Sequence, residues 1–157
     1  MIVDFPRDKA NGAKESANVK DVKPLSTETS VGLPVFSSAI SAGAPTPVED
    51  YTEGKMDLNT YLIKHPESTF IVRVTGNSMI DAGIHPDDFL IVDRKLAARD
   101  GKIVIAMING ELTVKRLCIL GQKLYLMPEN PDYSGIEVTG ELEFQIWGVV
   151  TNVIHPL

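Results

Sequence analysis

Cysteine is nearly missing from this chain: Cys118 is the single one among 157 residues. An intrachain disulfide is therefore impossible, which excludes a cross-linked secreted scaffold. Set in Val114-Lys115-Arg116-Leu117-Cys118-Ile119-Leu120, the thiol reads as a small, buried apolar residue. Aromatic residues make up only 6%, too few to advertise a base-stacking surface for nucleic acid. A surplus of positive charge is also lacking. The formal net charge is -6, and residues 1–42 carry five basic and five acidic groups, so the acidic surplus lies in 43–157. That balance argues against a dedicated DNA-binding domain and against direct sequence-specific DNA contact. There is no run of eighteen apolar residues and no signal-peptide core. The expectation is a soluble, cytoplasmic protein with no membrane association. Histidine is scarce as well. His65, His85 and His155 lie far apart, match no metal-ligand spacing, and read as helix-end, turn and terminal residues, so neither metal nor cofactor is expected. No glycine-rich loop opens a helix, which disfavours the nucleotide-binding α/β folds.

What the chain does hold is a hydrophobic fraction of 43%, enough for the core of one domain with an arm. Residues 1–30 are polar and small with no sustained apolar period, and read as a disordered or loosely attached arm. Met1 to Phe5 is a candidate short strand. Leu33 to Pro47 has anchors at Leu33, Val35, Phe36 and Ile40, then small residues and two prolines that push Ala44 and Thr46 extended. It reads as an accessible, strand-like piece ending in a turn, a form that suits either proteolysis or a plain linker. Val48 to Gly54 reads as a short acidic turn. Asp57 to His65 reads as a short helix capped by Asp57 and ended by Pro66, with Leu58, Tyr61 and Leu62 on one face directed at the sheet edge. Strands are expected over 69–75, 89–93, 102–108, 111–119, 122–127 and 142–154, with a further short piece at Ile136-Glu137-Val138. Asn109-Gly110 is the strongest hairpin signal, because that pair tolerates the left-handed turn a two-residue hairpin demands. Trp147 reads as a core or rim residue. The fold class is mainly β: a small, strongly curved β domain with one short helix and a flexible N-terminal arm.

Two polar residues stand out against this frame. Thr75-Gly76-Asn77-Ser78-Met79-Ile80-Asp81-Ala82-Gly83 follows the alternating run Phe70 to Val74 and precedes a second run, Phe89 to Val92. Ser78 is thus set just past a strand between two glycines, where a group can be held rigidly yet exposed. By itself this serine proves nothing, because most loop serines cap a turn. Lys115 stands in the strand Leu112-Thr113-Val114-Lys115-Arg116-Leu117, with Thr113 and Leu117 on its face. Packed inward, its amine would be desolvated, its pKa lowered, and it could take a proton from Ser78. Facing outward, it would be an edge lysine that blocks sheet association.

The segment Thr75-Gly76-Asn77-Ser78-Met79-Ile80-Asp81 resembles the GxSM nucleophile motif of the LexA/UmuD family of self-cleaving serine peptidases. Glu111-Leu112-Thr113-Val114-Lys115-Arg116-Leu117 is similar to that family's lysine strand, and Ser41-Ala42-Gly43-Ala44-Pro45-Thr46-Pro47 to its cleavage segment. The resemblance runs over about residues 33–157; residues 1–32 have no obvious counterpart. It implies a LexA/signal-peptidase-like β domain with Ser78 as nucleophile and Lys115 as general base. The backbone amides of Ser78 and Met79 would receive the oxyanion charge, and Ala42-Gly43 would be the cut bond, with Ile40 filling a neighbouring pocket. Residues 1–42 would be a regulatory arm removed by self-cleavage, leaving 43–157 for dimerisation and polymerase interaction. The implied partners are a second copy in a homodimer, a RecA–single-stranded DNA filament that stimulates the cut, and a UmuC-like Y-family polymerase subunit in the SOS response. The competing class is a non-enzymatic interaction module that regulates such a polymerase. A phage-type repressor would need a DNA-binding head that the arm, with no net positive charge and no paired helical periodicity, does not offer. A membrane signal peptidase would need an anchor.

Overall fold

The computed structural model of the chain describes residues 18–24, 29–36, 39–40, 42–45 and 52–157. The strand expected at Met1 to Phe5, and residues 48–51 of the expected acidic turn, lie outside the described residues; 52–54 are strand rather than turn. In chain order the elements are β1 (Asn18–Pro24), β2 (Gly32–Phe36), β3 (Thr52–Asp57), α1 (Leu58–Leu62), β4 (Thr69–Thr75), β5 (Phe89–Asp93), β6 (Ile103–Ile108), β7 (Glu111–Leu120), β8 (Lys123–Met127), β9 (Ile136–Val138) and β10 (Phe144–Ile154). The mainly β expectation holds, and the strands from residue 69 onward fall within two residues of their expected bounds.

Eight strands make one sheet in the order β1-β4-β5-β10-β6-β7-β8-β9, while β2 and β3 form a separate two-stranded ribbon. All its pairings are antiparallel. The β6–β7 hairpin turns on Asn109 at φ 49° and Gly110 at φ 83°, the left-handed pair that a tight hairpin requires. Successive strand residues point to opposite faces, and here both faces are covered. Ile105, Val114 and Trp147 join one core with Val72, Val74, Met79, Ile84, Leu90 and Val92. Val104, Ala106, Leu117 and Val149 join a second core with Leu126. A sheet that buries both faces in a chain of this size must curl, and irregularities in β10 between Ile146 and Gly148 and between Val150 and Asn152 supply the bends.

Two expectations need correction. Part of the arm read as loosely attached is strand: β1 pairs along β4, its Asn18 also bridges to Thr113 of β7, and Val19 and Val22 pack on the first core. Period alone missed it because Val19 and Val22 are spaced by three, across a register shift between Val19 and Asp21. The second concerns α1. Asp57 caps it as expected, accepting from the Asn59 amide at 3.1 Å, but its apolar face is not buried. Leu58 and Tyr61 are exposed, and the buried residue is Ile63 at the cap. A helix of five residues is too short to lay a full stripe on a sheet. Trp147 is core, 8% exposed, tilted on Phe70 with ring centroids 5.4 Å apart. Cys118 is half-buried rather than fully packed away. Among the described residues no helix is long and apolar enough to cross a membrane.

Candidate active site

Where β4 ends, the chain enters a tight turn. Gly76 takes φ 75°, a conformation glycine adopts without Cβ strain. Ser78 and Met79 follow in the turn, then a single 3₁₀ turn over Ile80–Ala82, closed by Gly83 at φ 76°. Backbone bonds seal the base of this loop, from the Val74 amide to the Asp88 carbonyl at 3.0 Å and from the Asp87 amide to the Val74 carbonyl at 2.9 Å. Met79 is wholly buried and plugs the first core, so the neighbouring Ser78 is held inward and is itself 0% exposed.

Lys115 reaches the same place from the middle of β7. Its Nζ donates to Ser78 Oγ at 3.1 Å, to Thr113 Oγ1 at 3.1 Å and to the Val114 carbonyl at 3.0 Å. The side chain is 3% exposed. Burial pushes its pKa down from 10.5 to about 8, since a charged amine is poorly solvated away from water. Of the three neighbours, the Val114 carbonyl can only accept. Either hydroxyl, that of Ser78 or that of Thr113, can instead donate to the lone pair of a neutral Nζ. This is the geometry of a base beside a nucleophile.

A third element, not singled out in the sequence, holds the turn from outside. The loop 128–135 between β8 and β9 lies against it. The Glu129 amide donates to the Ser78 carbonyl at 2.8 Å, and the Asp81 amide returns a bond to the Glu129 carbonyl at 2.9 Å. Asn130 Nδ2 donates to the Asn77 carbonyl at 3.0 Å, and the Tyr133 hydroxyl to Asn77 Oδ1 at 2.5 Å. Arg116, next to Lys115, pairs with the Glu129 carboxylate. A trans peptide sets its N–H opposite its carbonyl. With the Asn77 and Ser78 carbonyls turned to Asn130 and Glu129, the amides of Ser78 and Met79 face away from that loop. The only advance sign was Pro128, Pro131 and Gly135 marking a loop; nothing in the spacing told which turn it would touch.

The other expected site residues lie on the surface. Ala42, Gly43 and Ala44 form an exposed bend, and Ile40 is 85% exposed rather than in a pocket in this conformation. Ser41 and Pro47 lie outside the described residues. The histidines read as unrelated do not all stay apart. His85 and His155 meet as tilted rings, with centroids 4.6 Å apart, beside the buried Asp88. The β5–β10 register, with Ile154 opposite Phe89, brings them together across seventy residues.

A family model described as Peptidase S24-like matches residues 34–151. Protein MucA of Salmonella typhimurium is 42% identical over 128 residues, covering 80% of this chain and 87% of its own. Protein SamA of the same species is 45% identical over 122 residues, covering 78% and 84%. The LexA repressor of Acidithiobacillus ferrooxidans is 36% identical over 144 residues, covering 90% and 69%.

Proposed function

The chain belongs to the S24-like peptidase family, and we propose that it is a UmuD-like self-cleaving serine peptidase that severs its own Ala42–Gly43 bond. The observation that carries this reading is the 3.1 Å contact of the desolvated Lys115 amine with Ser78 Oγ. Neutral Lys115 takes the Ser78 proton as Oγ attacks the Ala42 carbonyl carbon. The amides of Ser78 and Met79 receive the oxyanion, fixed donors that need no reorganisation when charge develops. The protonated lysine then gives its proton to the departing Gly43 nitrogen, and water, activated by the same amine, releases the Ala42 carboxylate. For this the exposed bend at 42–44 has to move into the site with Ile40 leading. The uncut resting chain and the cut pose are two populations of one tethered substrate.

In this reading a RecA–single-stranded DNA filament favours the engaged pose after DNA damage. The product beginning at Gly43 works in the cytoplasm as a homodimer and joins a Y-family polymerase subunit for error-prone bypass of lesions. Likeness to MucA, SamA and LexA supports a place in SOS mutagenesis. The test is incubation of purified protein at pH 7 and pH 10, with and without RecA filaments, followed by fragment masses. A fragment starting at Gly43, absent for Ser78→Ala and Lys115→Ala, is expected. A cut at another bond, or undiminished cutting by either variant, overturns the reading. No cut under any condition would instead leave a non-enzymatic module that regulates a polymerase.

A further inference from the structure

We infer that His85, Asp88 and His155 form a binding site for a divalent cation of the zinc class, which clasps the end of β10 to the loop that carries Ser78. One ligand atom from each residue lies within 4.8 Å of the other two. The Asp88 carboxylate is the anchor. Its side chain is 2% exposed, with Oδ1 at 2.6 Å from His155 Nδ1 and Oδ2 at 3.7 Å from His85 Nδ1. Oδ2 also accepts the His85 backbone amide at 2.7 Å, so the carboxylate cannot swing away. The two imidazoles are the mouth, with side chains 40% and 43% exposed.

A hydrogen bond between His155 and Asp88 accounts for only half of this arrangement. His85 Nδ1 points into the cluster, is buried, and has no hydrogen-bond partner, one of two such side-chain atoms among the described residues. A buried nitrogen left in that state costs stability. A cation set between the three residues satisfies it and keeps the carboxylate compensated. At a tetrahedral ion with bonds of about 2.0–2.2 Å, neighbouring ligands lie about 3.3 Å apart. His155 Nδ1, at 2.6 Å from Asp88 Oδ1, has to back away by about 0.7 Å to reach that spacing, and His85 Nδ1, at 3.7 Å from Oδ2, has to close; the half-exposed rings have the freedom for both movements over a fixed carboxylate. Two imidazoles and one carboxylate suit zinc and its neighbours cobalt and nickel, and not calcium or magnesium, which want oxygen throughout. Three protein ligands leave a fourth position for water.

The site shares no residue with the Ser78–Lys115 pair and does not depend on any peptidase activity. Its reach is mechanical. Asp88 and Asp87 hold the base of the Ser78 loop through Val74, and the ion would tie the chain end at His155 to that base.

The test uses the full chain with Cys118→Ser, which removes the one thiol that competes for metal. Titration with zinc followed by native mass spectrometry, and with cobalt followed by visible absorption, should give one ion per chain. His155→Gln and His85→Gln should each weaken binding by about tenfold or more while leaving the far-ultraviolet circular dichroism unchanged. Zinc should raise the melting temperature of the Cys118→Ser chain and leave that of His155→Gln where it was. No stoichiometric uptake at millimolar free metal overturns the proposal, and so does uptake of equal strength in both histidine variants. Because His155 is half-exposed at the chain end, its replacement tests the site without emptying the core.

Discussion

At the residue scale, Lys115 is where stability and chemistry oppose each other. Its depressed pKa, about 8 against 10.5 in the ordinary state, means the unfolded chain binds the proton more tightly than the folded one. Stability therefore rises with pH between those two values. Near neutrality the penalty is about 3 kcal/mol. Lys115→Met removes it, so the variant should melt above the parent at pH 7, with the gap closing toward pH 10; calorimetry across that range checks it. A gap independent of pH would show that the amine is not desolvated. On the proposed mechanism the same shift would set the rate. Self-cleavage should climb about tenfold per pH unit below 8 and level off above it, as read from first-order cleavage rates. A flat profile would remove Lys115 as the base.

At the element scale, the loop 128–135 acts on the Ser78 turn through hydrogen bonds that substitution can remove singly. Tyr133→Phe deletes the bond to Asn77 Oδ1. It should slow self-cleavage by up to about tenfold, matching the loss of one hydrogen bond of about 0.5–1.5 kcal/mol, without moving the pH midpoint. A moved midpoint would instead put Tyr133 in the proton path. In β10, Gly148 is fixed by packing. A Cβ there would come within 2.6 Å of Val92 Cγ1, and Val92 is a stiff, fully buried side chain. Gly148→Ala should cost about 1–3 kcal/mol, measured by denaturant unfolding. An unchanged midpoint would mean that β10 and β5 slide apart more easily than their register suggests.

At the scale of the whole molecule, the segment ahead of Gly43 contributes to the body from which the proposed cut would release it. β1 caps the free edge of β4 and packs Val19 and Val22 on the first core. A chain expressed from Gly43 should still fold, because the buried members of both cores lie beyond residue 62. It should be less stable by about 1–3 kcal/mol, the worth of two partly buried valines. Urea unfolding of the two chains compares them directly. A shortened chain that fails to fold would contradict the division at residue 42.

Sequence alone determined the parts whose physics is local. Alternating apolar runs set the strands, Asn109-Gly110 set the hairpin and Asp57 set the helix start, whereas the candidate pair of Ser78 and Lys115 was marked only by resemblance to a family's motifs. Whether Lys115 faced in or out was open, because its strand is mixed on both sides; only curling of the sheet, with a core on each face, buried it. The grip of Glu129, Asn130 and Tyr133 on the Ser78 turn was equally illegible, as was the meeting of His85 with His155. Each is a contact between segments far apart in the chain, and such contacts are set by strand register and sheet curvature, which no short window of residues encodes.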